Sequence, residues 1–79
     1  MNRISGFGKA VRSLRRERGL SQEALAEKAN LHTNYISLVE RGLSAPALDT
    51  ICALADALGI TVSTLAVEME KNAIHSSRA

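Results

Sequence analysis

Four residues divide this chain into helix-sized pieces. Gly19, Asn30, Gly42 and Gly59 each close a run whose apolar positions recur at three- and four-residue intervals. Glycine, and asparagine less freely, adopts the left-handed conformation in which helices commonly end. The core available to these runs is aliphatic, because Phe7 and Tyr35 are the only aromatic residues. That composition favours packed helices over a sheet, since strands prefer aromatic and β-branched side chains. With 79 residues, the expectation is one small all-α domain with a thin core that a partner subunit would help to cover.

Five helical segments follow. In the first, about residues 6–18, Phe7, Ala10, Val11 and Leu14 form an inward stripe opposite Lys9, Arg12, Ser13 and Arg16. Residues 1–5 are expected as a flexible N-terminal arm. Ser21 suits the N-cap of the second helix, "QEALAEKA", with Glu23 in its first turn. The third helix runs from about Thr33 to Arg41. Ile36 and Val39 share its inner side, Tyr35 and Glu40 flank them, and Asn34, Ser37, Leu38 and Arg41 lie opposite. Ser44 and Pro46 suggest the start of the fourth helix. Its inward stripe is Leu48, Ile51, Leu54, Ala55 and Leu58, with Ala53 on the outer face and Cys52 at the edge as a small packing residue. Thr61 or Ser63 caps the fifth, which carries Val62, Leu65, Ala66, Met69 and Ala73 on one side. The domain proper is expected over residues 6–70, and residues 71–79 as a frayed tail.

Charge is uneven. Residues 1–41 hold eight of the ten Lys/Arg against four acids, while 42–79 hold two against four. A basic half beside an acidic one suggests that one end of the domain faces a polyanion, although chance can also produce this with so few charges. A single cysteine forms no intrachain disulfide, and no Cys/His cluster has zinc spacing, so no metal or cofactor is expected. No apolar run approaches a membrane span, and no signal peptide is visible at the N-terminus. A cytoplasmic location without membrane association is the expectation. Nothing brackets a nucleophile and no glycine loop cradles phosphate, which argues against an enzyme.

Two short helices joined by a tight turn at Asn30-Leu31-His32, the second with polar groups outward, match a helix-turn-helix, although periodicity alone does not separate it from the helical hairpin of many small helical proteins. The stretch "LRRERGLSQEALAEKANLHTNYISLVERG", followed by "SAPALDTICALADALGI", resembles the Cro/phage-repressor class, the Xre-like family of bacterial and phage regulators. The resemblance covers roughly residues 7–66. It rests on Leu14, Arg15, Gly19, Leu20, Ser21, Gln22, Leu25, Ala26, Tyr35, Ile36, Ser37, Glu40, Arg41 and Gly42, with Leu48, Ala55, Leu58 and Gly59 beyond. "LHTNYISLVERG" is also similar to the controller proteins of restriction–modification systems.

The resemblance implies the phage-repressor fold and a sequence-specific transcriptional regulator acting as a homodimer on a palindromic operator. Thr33, Asn34, Ser37 and Leu38 would meet base edges. Gln22, Tyr35 and Arg41 would meet phosphates, and so would His32, which stands where the family commonly has a capping Ser or Thr. Arg15 and Glu40 would form a buried structural pair. Tyr35 also reads as a boundary core residue with a wet hydroxyl, Ser37 as a tolerated small residue, and Leu38 as ordinary exposed surface. Val62, Leu65, Ala66 and Met69 are the expected dimer surface, although the phenylalanine that the family often carries near Ala66 is missing. Double-stranded DNA is the expected partner, with RNA polymerase blocked or recruited at the promoter. A different class of function is a protein-interaction module of the same fold, such as an antitoxin subunit.

Overall fold

A computed structural model describes residues 2–77, with side chains to residue 73. It contains α1 (Arg3–Glu17), α2 (Gln22–Ala29), α3 (Thr33–Glu40), α4 (Leu48–Leu58) and α5 (Val62–Ser77). No strand occurs among the described residues.

Capping side chains set three of the helix starts. The Ser21 hydroxyl accepts the Ala24 N–H at 3.0 Å, and the Thr61 hydroxyl accepts that of Thr64 at 3.1 Å. Asn2 accepts the Ser5 N–H at 3.0 Å, so α1 already begins at Arg3, within the segment expected as an arm. α4 starts later than expected, at Leu48 after Ala47, and Ser44 does not cap it. Pro46 explains the delay, because a residue before proline is biased toward extended backbone and Ala45 is poorly suited to a helical turn.

Four helices end alike. The residues with positive φ are Gly19, Asn30, Gly42 and Gly59. Each is followed by a large aliphatic residue whose N–H donates five positions back, from Leu20 to Arg15, Leu31 to Ala26, Leu43 to Leu38 and Ile60 to Ala55, at 2.8–3.1 Å. This is the Schellman arrangement, in which the aliphatic residue commonly folds onto the last helical turn. Leu31 and Ile60 pack against the core. Arg18 adds a second closure, donating to the Leu14 and Leu58 carbonyls and so joining the C-terminal ends of α1 and α4.

Phe7, Val11, Leu14, Leu25, Ile36, Val39, Leu54, Leu58 and Leu65 form the centre of the core. Leu65, expected on the dimer surface, is fully buried within the single chain. The cause is the close fit of α5 against α1. At Gly6, an added Cβ would stand 2.7 Å from the Ala73 nitrogen and 2.8 Å from its Cβ. That fit buries Ala73, and α5 continues to Ser77 through much of the segment expected to fray; residues 78–79 lie outside the described residues. Leu48 turns outward, 72% exposed, rather than joining the inner stripe of α4. Ala53, expected outside, packs against the core, and Cys52 is exposed. No single helix among the described residues is long and apolar enough to cross a membrane.

Candidate nucleic-acid interface

The third helix separates its faces as its periodicity predicts. Ile36 and Val39 have no exposed surface. Asn34, Leu38 and Arg41 are exposed, while Thr33 and Ser37 are half-buried. All four residues expected to read bases thus retain accessible surface on α3, and no larger hydrogen-bonding side chain stands among them.

Behind this face lies a polar network. Arg15 Nε donates to Glu40 Oε2 at 2.7 Å and Arg15 Nη2 to Glu40 Oε1 at 3.0 Å, a two-pronged pair with side chains only 10% and 2% exposed. The third nitrogen, Nη1, donates to the Leu20 carbonyl at 2.8 Å. A side-chain hydrogen bond to Glu40 raises the pKa of Arg15 above its ordinary value, against the opposing effect of burial. Gln22 completes the network by donating from Nε2 to Glu40 Oε1 at 3.0 Å. Every buried side-chain nitrogen and oxygen among the described residues has a partner, which a charged pair away from water requires. The pair links α1 to α3, and Gln22 links the first turn of α2 to the same carboxylate.

The resemblance implies only a phosphate contact for Gln22, and its bond to Glu40 is a role the sequence does not signal. Two further positions were also missed. Gly8 lies against the last turn of α3, where an added Cβ would overlap the Val39 carbonyl oxygen and stand 2.8 Å from that of Glu40. Leu43 sits at the end of the same turn; the repeated left-handed residue followed by an aliphatic one is the sequence signal that could have found it.

The remaining phosphate candidates surround α3. Tyr35 is half-buried with its side chain against the core, and its hydroxyl makes no hydrogen bond to the described residues. Tyr35 thus takes the boundary position of its core reading. His32 occupies the N-cap position without a side-chain cap bond and is exposed. Arg41 donates from Nε to the Ser37 carbonyl at 3.3 Å and remains exposed. The basic half is less available than a charge count implies, since Arg15 and Arg18 are committed to internal partners.

An ordered turn between two eight-residue helices, with one face of the second helix held outward from a fixed back, defines a helix-turn-helix domain. A family model described as helix-turn-helix matches residues 11–65, and the chain belongs to that family, of the Xre-like type. The immunity repressor protein of Bacillus phage phi105 is 46% identical over 61 residues, which is 77% of this chain and 42% of the repressor. This chain thus spans about two fifths of that repressor's length. Among solved structures, the restriction-modification controller protein C.AhdI of Aeromonas hydrophila superposes with a TM-score of 0.77 at 42% identity, covering 78% of this chain and 94% of the controller. The controller protein C.Esp1396I, solved as a tetramer in complex with its natural 35 base-pair operator, gives a TM-score of 0.83 at 25% identity over 91% of this chain and 95% of its own.

Proposed function

We propose that this chain is a sequence-specific regulator of transcription that binds double-stranded DNA as a homodimer, with α3 in the major groove. The observation that carries the reading is the division of α3: Ile36, Val39 and Glu40 are buried while Asn34, Leu38 and Arg41 are exposed. Asn34 suits the N6 and N7 edge of adenine, and Thr33 and Ser37 can bond to several bases. Arg41, His32, the Tyr35 hydroxyl and the remaining donor of Gln22 suit backbone phosphates, which set position and orientation. The operator complex of the relative C.Esp1396I supports the same use of the fold here.

The dimer surface proposed here keeps Val62, Ala66 and Met69 and adds Leu48 and Ile51. Leu65 belongs to the monomer core, whereas Leu48, Ile51, Val62, Ala66 and Met69 line an apolar groove of about 120 Å³ floored by Phe7 and Leu65. Exposed Leu48 beside such a groove suits a second copy of the chain. Two-fold pairing would set the reading helices about 34 Å apart on a palindromic site. Occupancy at a promoter would then block or recruit RNA polymerase in the cytoplasm. Selection of binding sites from random DNA at stated salt tests the reading. A recovered palindrome is expected, and recovery of no preferred sequence overturns it.

A further inference from the structure

We propose that Leu38 reads the 5-methyl group of a pyrimidine in the major groove, with Leu43 as the positioning residue that holds it there. This deepens the DNA reading above and rests on it.

The inference starts from the way the four helices close. Each pairs an aliphatic residue after the turn with a residue in the last helical turn. In α2 and α4 that aliphatic residue, Leu31 or Ile60, packs into the core, and Leu20 after α1 is half-buried. After α3 both members are leucines and both stay outside: Leu38 is 38% exposed and Leu43 is 65% exposed. The Leu43 N–H donates to the Leu38 carbonyl at 2.9 Å, and Gly42 donates to Val39 at 3.0 Å. These bonds bring the two leucines to one end of one helix, where such residues commonly touch. One exposed leucine is ordinary surface. Two joined by a closing motif leave apolar surface exposed at one end of α3.

Its place on the helix identifies the occupant. Leu38 lies one turn beyond Asn34 and next to Ser37, hence on the face proposed to read bases, with exposed Arg41 beyond it. In the major groove the one apolar group on a base edge is the 5-methyl of thymine; methylated cytosine carries the same group at the same ring position. Leu38 has no hydrogen bond to offer a base, so its discrimination has to come from the methyl. In the side-chain contact that commonly accompanies this closure, Leu43 would limit the directions Leu38 can take and remove water from its side.

The best site from selection supplies the probe. Each thymine in a half-site is replaced in turn by uracil, which removes the methyl and leaves every hydrogen-bonding group. Wild-type protein should bind one or two of these duplexes about fourfold more weakly, the equivalent of burying one methyl group. Leu38→Ala should abolish that penalty. Leu43→Ala should reduce it without changing the salt dependence of binding, which reports phosphate contacts. A parallel pair of duplexes carries cytosine or 5-methylcytosine at each cytosine position. A gain on methylation, with no uracil penalty, assigns the methyl to cytosine rather than thymine. If neither methyl matters while the site is still preferred over random DNA, the inference fails and the DNA reading stands. A chain with no preferred site overturns both. The uracil series needs no variant, so poor folding of either leucine mutant does not decide the outcome.

Discussion

Gly8→Ala sets two opposed effects against each other. In an exposed helix interior, replacing glycine by alanine gains about 1 kcal/mol. Here the new Cβ would overlap the Val39 carbonyl oxygen and stand 2.8 Å from the Glu40 oxygen and 3.0 Å from the Glu40 carbonyl carbon. All three are backbone atoms of α3, with no flexible side chain to turn aside. The Val39 oxygen also accepts the Gly42 N–H, so moving it disturbs the end of the helix. Overpacking of this kind costs about 1–3 kcal/mol, and rigid surroundings favour the upper end. Subtracting the propensity gain leaves a net loss of about 2 kcal/mol. For a domain of this size that lowers Tm by roughly 8–16 °C. Urea and thermal unfolding followed by circular dichroism measure it. Because the atoms that must yield belong to the reading helix, binding to the selected site should fall more than binding to random DNA. A Gly8→Ala protein as stable as the parent, or more stable, would refute the packing account.

The other changes separate core from surface and anchoring from reading. Glu40→Leu alone leaves buried Arg15 unpaired and should cost about 3–5 kcal/mol, whereas adding Arg15→Met should recover most of it, both measured by urea unfolding. Leu65→Ala should cost about 2–5 kcal/mol in thermal and urea melts. Leu48→Glu, at an exposed position, should leave the fold intact and weaken the dimer in sedimentation. Asn34→Ala should weaken the selected site more than random DNA, while Arg41→Ala should weaken both and flatten the salt slope, in titrations at several salt concentrations.

The helices and the two sides of α3 were legible in the sequence because each depends on local spacing. Gly19, Asn30, Gly42 and Gly59 mark ends through their own backbone freedom, and Ile36 with Val39 marks an inner face through period alone. Structure departs from local pattern where a distant residue decides. Leu65 and Val62 share one stripe, and only the packing of the other helices around α5 assigns Leu65 to the core. Leu48 fits its helical period but lies outside, at the first residue of α4. At the candidate site, the Arg15–Glu40 pair followed from family resemblance, whereas Gln22 joins it across 18 positions of sequence. No spacing rule reports a contact of that length.

The C-terminal end of α3 carries side-chain bonds that its N-terminal cap lacks, and His32 makes the difference measurable. The C-terminal end meets Gly8, carries the Arg15–Glu40–Gln22 network and closes through Gly42 and Leu43. The N-terminal end has His32 as its cap, with no side-chain bond to the helix. His32→Ser should therefore raise stability by about 1 kcal/mol, the usual difference between a capping and a non-capping residue. His32→Asp should do at least as well, because its charge also favours the positive end of the helix dipole. The two substitutions part company on DNA. If the start of α3 faces a phosphate, Asp places like charge beside it and weakens selected and random duplexes alike, most strongly at low salt. Serine adds no charge and should leave that salt dependence unchanged. Equal DNA affinity for the Ser and Asp proteins at low salt would remove phosphate from the neighbourhood of position 32, even if both gains in stability appear.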